Sequence, residues 1–252
     1  MKRRFGQHFL KDHSVLTRIV RLAAIDSEDT VLEIGPGRGA LTRELAAVAR
    51  RVIAIEIDRD LIPALTGTLP ANVTVIEGDA LEVPWPEEAF HVVANLPYNA
   101  ATPLIRRFIE MRSRIRDVTV MVQKEVAERI TASPGPGAYG PLSVLVQYYA
   151  NARYAFTVPP GAFTPKPKVD SAVVRLEWKP GTPDARDFTD FVHQAFSSRR
   201  KTLANNLSRM ATRFGRSEID RRLADAGISL TARPEELSVE QFMDVYNRWT
   251  RE

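Results

Sequence analysis

The chain has 252 residues, enough for one large domain or for a domain with a small appendage, and its 44% hydrophobic and 26% charged content is ordinary for a soluble globular protein. It has no cysteine, which excludes disulfides and thiolate metal sites and fits a reducing, cytoplasmic setting. No apolar run approaches the ~20 residues of a membrane span, and no apolar stretch follows the basic start Met1-Lys2-Arg3-Arg4, so neither a membrane partner nor a secretory signal is expected.

The net charge of +4 is modest but unevenly placed. Lys2, Arg3, Arg4, Lys11, Arg18 and Arg21 face only Asp12, and Arg106, Arg107, Arg112, Arg114 and Arg116 face only Glu110. Within 197–222, Arg199, Arg200, Lys201, Arg209, Arg213, Arg216, Arg221 and Arg222 oppose Glu218 and Asp220. One such cluster reads as a solvated helix face. Three in one small protein point toward a polyanionic partner.

A helix is predicted at roughly 14–24. From residue 30 short β-rich runs alternate with amphipathic helical stretches. Strands are expected at 31–34, 52–55, 73–76, 90–93 and 118–122, with helices such as 40–48, 59–66 and 103–111 between them. That alternation predicts a mostly parallel sheet with helices on both faces. The segment Pro134-Gly135-Pro136-Gly137 reads as a loop, followed by a helix near 141–150 and a strand near 152–157. A second loop runs from Pro159 through Pro165-Lys166-Pro167-Lys168, and a last strand spans Ser171–Trp178. After Lys179-Pro180-Gly181 the β signal stops and 187–250 reads as short helices. Two domains are therefore expected, an α/β domain over 1–180 and a small all-α domain over 181–252.

The first strand ends in Glu33-Ile34-Gly35-Pro36-Gly37-Arg38-Gly39-Ala40, which opens a helix. Glycines there let a ligand approach the backbone, and the helix start offers free N–H groups. Glu56, about 20 residues on at the end of the second strand, sits where a carboxylate grips ribose hydroxyls. A nicotinamide dehydrogenase and a methyltransferase fit these features equally. Glu33 before the glycines and Asp79 after the third strand separate them, because that arrangement resembles the S-adenosylmethionine-dependent methyltransferases. The resemblance implies a class I, Rossmann-like methyltransferase fold with S-adenosylmethionine as cofactor. Glu56 would then bind its ribose diol and Asp79 its adenine amino group, although Asp79 reads equally well as a turn residue.

The fourth strand runs into Asn95-Leu96-Pro97-Tyr98, which resembles the motif of enzymes that methylate exocyclic amines of bases. An adenine N6 lone pair is delocalised into the ring and is a poor nucleophile. The Asn95 side-chain carbonyl and the Leu96 backbone carbonyl could each accept one N6 hydrogen and turn the lone pair toward the sulfonium methyl. Pro97, with no N–H and a fixed φ, helps hold the Leu96 carbonyl in place. Tyr98 offers a face on which a flipped base stacks. The departing proton can pass to water, so no strong general base is required.

With these motifs the chain is similar, over nearly its whole length, to the ribosomal RNA adenine N6-dimethyltransferases of the small-subunit (KsgA) type. The resemblance is carried by Phe5-Gly6-Gln7-His8-Phe9-Leu10, Glu33–Gly39, Asn95–Asn99, Gln123-Lys124-Glu125-Val126-Ala127, Phe163-x-Pro165-x-Pro167-Lys168-Val169-Asp170-Ser171 and Arg199-Arg200-Lys201-Thr202-Leu203. It implies an N-terminal arm over the cofactor, with His8 (in place of the commoner Asn) and Leu10, and a cofactor site that also includes Gly35, Gly37, Ala80 and Asn95. It implies Phe163 as a second aromatic against the target base, with an apolar anchor for the loop as the alternative. Arg199, Arg200 and Lys201 would meet RNA. The implied substrate is a pair of adjacent adenosines in a hairpin near the 3′ end of 16S rRNA, in the 30S subunit or its precursor, methylated by a cytoplasmic monomer.

The rivals are a 23S rRNA methyltransferase of the macrolide-resistance type, a non-catalytic assembly factor on the same fold, and the dehydrogenase. The last leaves Asn95–Tyr98 and the basic clusters unexplained. Ser198-Arg199-Arg200-Lys201 matches a Ser-x-x-Lys pattern by coincidence, since its companion motifs are missing. The four histidines show no metal-ligand spacing, so no metal is expected, and His91 reads as structural.

Overall fold

The computed structural model describes residues 7–183, 186–198, 200–209 and 214–250, and the chain divides into two compact units. The first holds residues up to Ala127 together with Ala152–Trp178; the second holds Glu128–Asn151 together with the residues from Lys179 onward.

The first unit begins with a two-residue strand, β1 (Phe9–Leu10), and helix α1 (His13–Ala23). Asp12 caps α1 by accepting hydrogen bonds from the Ser14 and Val15 N–H groups. The helix ends at Ala24 in the left-handed region, φ 52°. Val15, Leu16, Ile19 and Ala23 share the buried face, as a 3.6-residue period requires. Burying a side chain such as Ile19 contributes ~1.5–3 kcal/mol, so Ile19→Asp would lift this helix off the sheet.

The predicted alternation then follows: β2 (Thr30–Ile34), α2 (Ala40–Ala46), β3 (Arg51–Glu56), α3 (Ile62–Thr66), β4 (Val73–Glu77), β5 (Phe90–Asn95), α4 (Ala101–Glu110) and β6 (Ile115–Gln123). Helix α5 (Lys124–Thr131) and helix α6 (Pro141–Tyr149) come next, then β7 (Ala150–Val158), the short β8 (Phe163–Thr164) and β9 (Ser171–Trp178). The seven long strands form one sheet in the order β4-β3-β2-β5-β6-β9-β7. Strands β2 to β6 pair in parallel, with Val31 opposite Val52 and Ala94 opposite Val120, while β9 runs antiparallel to β6 with Val174 opposite Val120. All five residues of β2 are buried, because helices cover both faces of a parallel sheet. Later strands add to opposite sides of β2 and β5, and such a switch point leaves a crevice at the carboxyl ends of the strands.

The second unit is helical, with α7 (Arg186–Ala195), α8 (Leu203–Leu207), α9 (Arg216–Asp225) and α10 (Val239–Thr250). The composition shift near residue 180 suggests a single boundary, but residues 128–151 belong with these helices. Helix α6 is apolar on several faces, and its Tyr148 packs 4.9 Å from Phe188, which in turn lies 5.2 Å from Tyr246. Asn206, fully buried, donates to the carbonyls of Ala195 at 2.6 Å and Ser198 at 3.0 Å, and Thr202 caps α8. These bonds fix the turn that carries Arg200 and Lys201. Among the described residues no helix is long and apolar enough to cross a membrane.

Candidate active site at the carboxyl end of the sheet

Eleven of the sequence-predicted site residues line one cavity of about 310 Å³: His8, Leu10, Gly35, Gly37, Glu56, Asp79, Ala80, Asn95, Leu96, Pro97 and Tyr98. The glycine loop turns there because Gly35 and Gly37 adopt φ values of 70° and 58°, which side chains disfavour. A Cβ on Gly37 would also sit 2.9 Å from the Phe9 ring, so the arm and the loop can pack only with glycine at this position.

Glu56 ends β3 inside this loop. Its Oε2 accepts the Gly37 N–H at 3.0 Å and its Oε1 accepts the Asp58 N–H at 2.9 Å. Burial raises its pKa, and those two backbone bonds oppose the rise. Glu33 is 1% exposed, and its Oε2 has no partner among the described residues. Burial pushes its carboxyl up to about 8; the nearby Thr42 hydroxyl opposes the rise and the Glu56 charge adds to it. Asp79 lines the cavity and its Oδ1 accepts the Leu81 N–H at 2.8 Å, closing the turn after β4.

Asn95 closes β5. Its Nδ2 donates to the His8 carbonyl across 3.4 Å, while Oδ1 is buried without a partner. Leu96 is tied to the sheet by its N–H to the Met121 carbonyl, and the Pro97 carbonyl accepts the Ala100 N–H at the start of α4. The Tyr98 hydroxyl lies 2.7 Å from the Ser171 hydroxyl, and burial raises its pKa, so the ring stays a neutral phenol. His8 reaches from the arm with Nδ1 2.7 Å from the Pro165 carbonyl, which requires the proton on Nδ1. Its ring centroid is 5.7 Å from that of Tyr98.

Phe163 lies outside the cavity lining. It is 1% exposed and packed with Leu10, Val158 and Ala162, while its backbone pairs β8 with β1. Its position is that of the apolar anchor, with no face open to a base. Phe5, Gly6 and Arg199 lie outside the described residues. Arg200 and Lys201 are exposed, and their side chains carry no hydrogen bond or ion pair among the described residues, although the Lys201 N–H donates to the Ser198 carbonyl at 3.1 Å. Arg216, Arg221 and Arg222 of the same basic run instead pair with Asp220, with Glu218 and Asp225, and with Glu218 respectively. Sequence reasoning gave no contact role to Glu33 or to the 43%-exposed Ile57, both in the lining. The signal for Glu33 was available: an acid within an otherwise apolar buried strand.

A mostly parallel sheet with its crevice at the switch point, carboxylates at the end of β3 and just after β4, and Asn-Leu-Pro-Tyr closing β5 defines a Rossmann-like methyltransferase. Over residues 1–251 the chain matches the family model described as Ribosomal RNA adenine dimethylase, and it belongs to that family. A protein named Ribosomal RNA small subunit methyltransferase A from Shouchella clausii (strain KSM-K16) is 43% identical over 258 residues, covering 96% of this chain and 87% of its own length. One of the same name from Lactococcus lactis subsp. lactis (strain IL1403) is 43% identical over 256 residues, with the same coverage. Among solved structures, a dimethyladenosine transferase from Plasmodium falciparum superposes with a TM-score of 0.85 at 29% identity, covering 96% of this chain and 97% of that one. The 23S rRNA methyltransferase ErmE gives 0.75 at 28% identity, covering 96% and 100%.

The protein is thus an S-adenosylmethionine-dependent rRNA methyltransferase. The cavity suits that cofactor, since it presents three acids and a glycine loop to a ligand carrying a diol and an ammonium group, and one acid has a buried oxygen still unbonded. Among the described residues no group of three His, Asp or Glu side chains could hold a metal ion.

Proposed function

We propose that the protein methylates N6 of two adjacent adenosines in a hairpin near the 3′ end of 16S rRNA, within the 30S subunit or its precursor, acting as a cytoplasmic monomer. The observation that carries the chemistry is the buried, unpartnered Oδ1 of Asn95 at the cavity wall beside Tyr98. The small-subunit assignment draws its support from the relatives named above.

In this reading Asn95 Oδ1 and the Leu96 carbonyl each accept a hydrogen from the target amine, which fixes its orientation and frees its lone pair. The face of Tyr98 supports the flipped base. Glu56 holds the ribose diol of the cofactor, Asp79 its adenine amino group, and Glu33 its α-ammonium. S-adenosylmethionine supplies an electrophilic methyl on a positively charged sulfur. The amine proton leaves to water once the new bond has formed. Arg200 and Lys201 contact RNA phosphates; Arg199 of the same run is assigned with them on sequence alone.

The test is methyl transfer to under-methylated 30S particles, run beside 23S rRNA. Two N6-dimethyladenosines in the 16S RNA and none in 23S are expected. Transfer to 23S rRNA alone would move the protein to the macrolide-resistance type. No transfer to either, with 30S binding retained, would make it an assembly factor.

A further inference from the structure

The loop between β8 and β9 is tied to the active site at both ends. Before it, the Pro165 carbonyl lies 2.7 Å from His8 Nδ1, and after it, the Ser171 hydroxyl lies 2.7 Å from the Tyr98 hydroxyl. His8 and Tyr98 both line the cavity. A third tie is the Lys124 N–H, which donates to the Asp170 carbonyl at 3.0 Å. Between these points the residues alternate. Pro165 is half-buried and Pro167 buried, whereas Lys166 and Lys168 are exposed. Neither lysine has a hydrogen bond or an ion pair among the described residues. Val169 follows them at 46% exposure, one of few large apolar side chains so open to solvent.

That alternation has a physical reading. In extended chain, residues two apart point the same way and lie about 7 Å apart. The prolines fix the backbone without needing hydrogen-bond partners for N–H groups, so little conformational freedom remains to be lost on binding. With Pro167 buried between them, Lys166 and Lys168 both present their ammonium groups to solvent, on a loop whose ends are bonded to His8 and Tyr98 of the cavity lining. Lysine suits a phosphate as a compact point charge. An apolar side chain next to them suits the face of a nucleoside.

We propose that the Pro165–Asp170 loop is an RNA clamp of the active-site unit, in which Lys166 and Lys168 hold the phosphates flanking the target adenosine and Val169 packs on an adjacent nucleoside. The proposal rests on the rRNA reading above and adds a contact surface separate from Arg200 and Lys201.

The experiment compares wild type with Lys166→Ala/Lys168→Ala on under-methylated 30S particles, with thermal melting and S-adenosylmethionine affinity as controls. Loss of two phosphate contacts on a single strand should flatten the dependence of log affinity on log salt by about 1.4. The single-turnover rate at saturating particles should stay within about twofold of wild type. Ethylation interference on the 16S RNA then locates the contact. Ethylated phosphates beside the two target adenosines should block wild type and leave the double variant indifferent, while sites elsewhere affect both equally. An unchanged salt slope would overturn the clamp. So would a flattened slope with an unaltered interference pattern, which would place the lysines on an acidic protein surface or a distant phosphate. Should wild type methylate 23S rRNA instead, the 16S reading fails, and the same two measurements on that RNA still decide the clamp.

Discussion

Strands β2, β5 and β6 bury polar side chains toward both ends of the sheet, and the two ends treat them oppositely. At the amino end, His91 sits between Asp117, at 2.9 Å from Nδ1, and Asp29, at 3.3 Å from Nε2. The other Asp117 oxygen accepts from Arg175 at 2.9 Å, and Arg116 lies 3.3 Å from Asp29. Each charge there has an opposite charge beside it. At the carboxyl end, Glu33 Oε2 and Asn95 Oδ1 are just as buried and have no partner among the described residues. An unpaired buried polar group costs about 1–3 kcal/mol, so a fold keeps one where a ligand completes it. Other buried polar atoms, such as Thr119 Oγ1 and Trp178 Nε1, also lack a partner among the described residues, so what singles out Glu33 and Asn95 is that their open oxygens belong to residues lining the cavity.

The comparison breaks most visibly at Asn95. Asn95→Ala should lower the single-turnover rate on saturating 30S particles about a hundredfold, on the order of 3 kcal/mol. Its melting temperature and particle affinity should stay near wild type, because the lost oxygen has no partner among the described residues and the lost Nδ2 bond to the His8 carbonyl is long, at 3.4 Å. A near-normal rate would return Asn95-Leu96-Pro97-Tyr98 to an ordinary strand-to-helix turn.

His91 should give the reverse pattern. His91→Asn removes the group between two carboxylates and should cost about 2 kcal/mol of stability, lowering the melting temperature by about 4–8 °C. Methyl transfer at a permissive temperature should be unchanged. Burial pulls the His91 pKa down, but the Asp117 hydrogen bond and the Asp117 and Asp29 charges outweigh it, and the net shift is upward. A raised folded-state pKa stabilises fully below the unfolded value near 6.5 and loses that stabilisation as pH rises through the folded one. The gap between wild type and variant should therefore narrow above neutral pH. A constant gap from pH 6 to 9 would show that the imidazole is neutral in the fold.

Much of this was legible in the sequence, and the failures have particular causes. The mostly parallel, helix-covered sheet follows from alternating β-branched runs and helices, and Asn95–Tyr98, singled out because its residue types fit one chemistry, lies in the cavity wall. Of the two readings of Phe163, the structure shows it in the position of the anchor; an aromatic beside prolines looks the same in sequence whether it faces out or anchors the loop, and the β1–β8 pairing is what turns it inward. Residues 128–151 were assigned to the sheet domain because they precede its last strands, whereas the aromatic packing of α6 decides their place. The pairing of Arg216, Arg221 and Arg222 with acids was equally invisible in a count of basic residues.

Two smaller effects sharpen the boundary between structure and site. Glu56 takes part in both, since its oxygens already accept two backbone N–H groups. Glu56→Gln turns one acceptor into a donor facing the Gly37 or Asp58 N–H, so it should weaken S-adenosylmethionine binding at least about tenfold by calorimetry while the sheet stays folded by circular dichroism. Unchanged affinity would leave Glu56 as a brace of the glycine loop only. Tyr98→Phe and Ser171→Ala each delete the same neutral hydrogen bond and should each slow transfer about threefold. The double variant should be no slower than either single, and multiplying effects would mean that Ser171 does not act through Tyr98.

The smallest expected signal is a proton. With its carboxyl pushed up to about 8, Glu33 is mostly protonated at pH 7 in the free protein. A cationic ammonium placed against its open oxygen favours the ionised form, so binding S-adenosylmethionine should expel that proton. The sign is fixed: affinity should rise with pH between about 6 and 8, then level off once Glu33 is ionised beforehand. Calorimetry near neutral pH in buffers of different ionisation enthalpy should find somewhat less than one proton released per cofactor bound, and none in Glu33→Gln. Stability runs the other way, because a carboxyl with a raised folded-state pKa stabilises below its unfolded value of about 4.5 and that contribution disappears as pH climbs through 8. The free protein should therefore melt lower at pH 9 than at pH 6 by more than Glu33→Gln does, and saturating cofactor should shrink that excess. Proton release that persists in Glu33→Gln would assign the titration to another group and leave the unpartnered oxygen without a ligand.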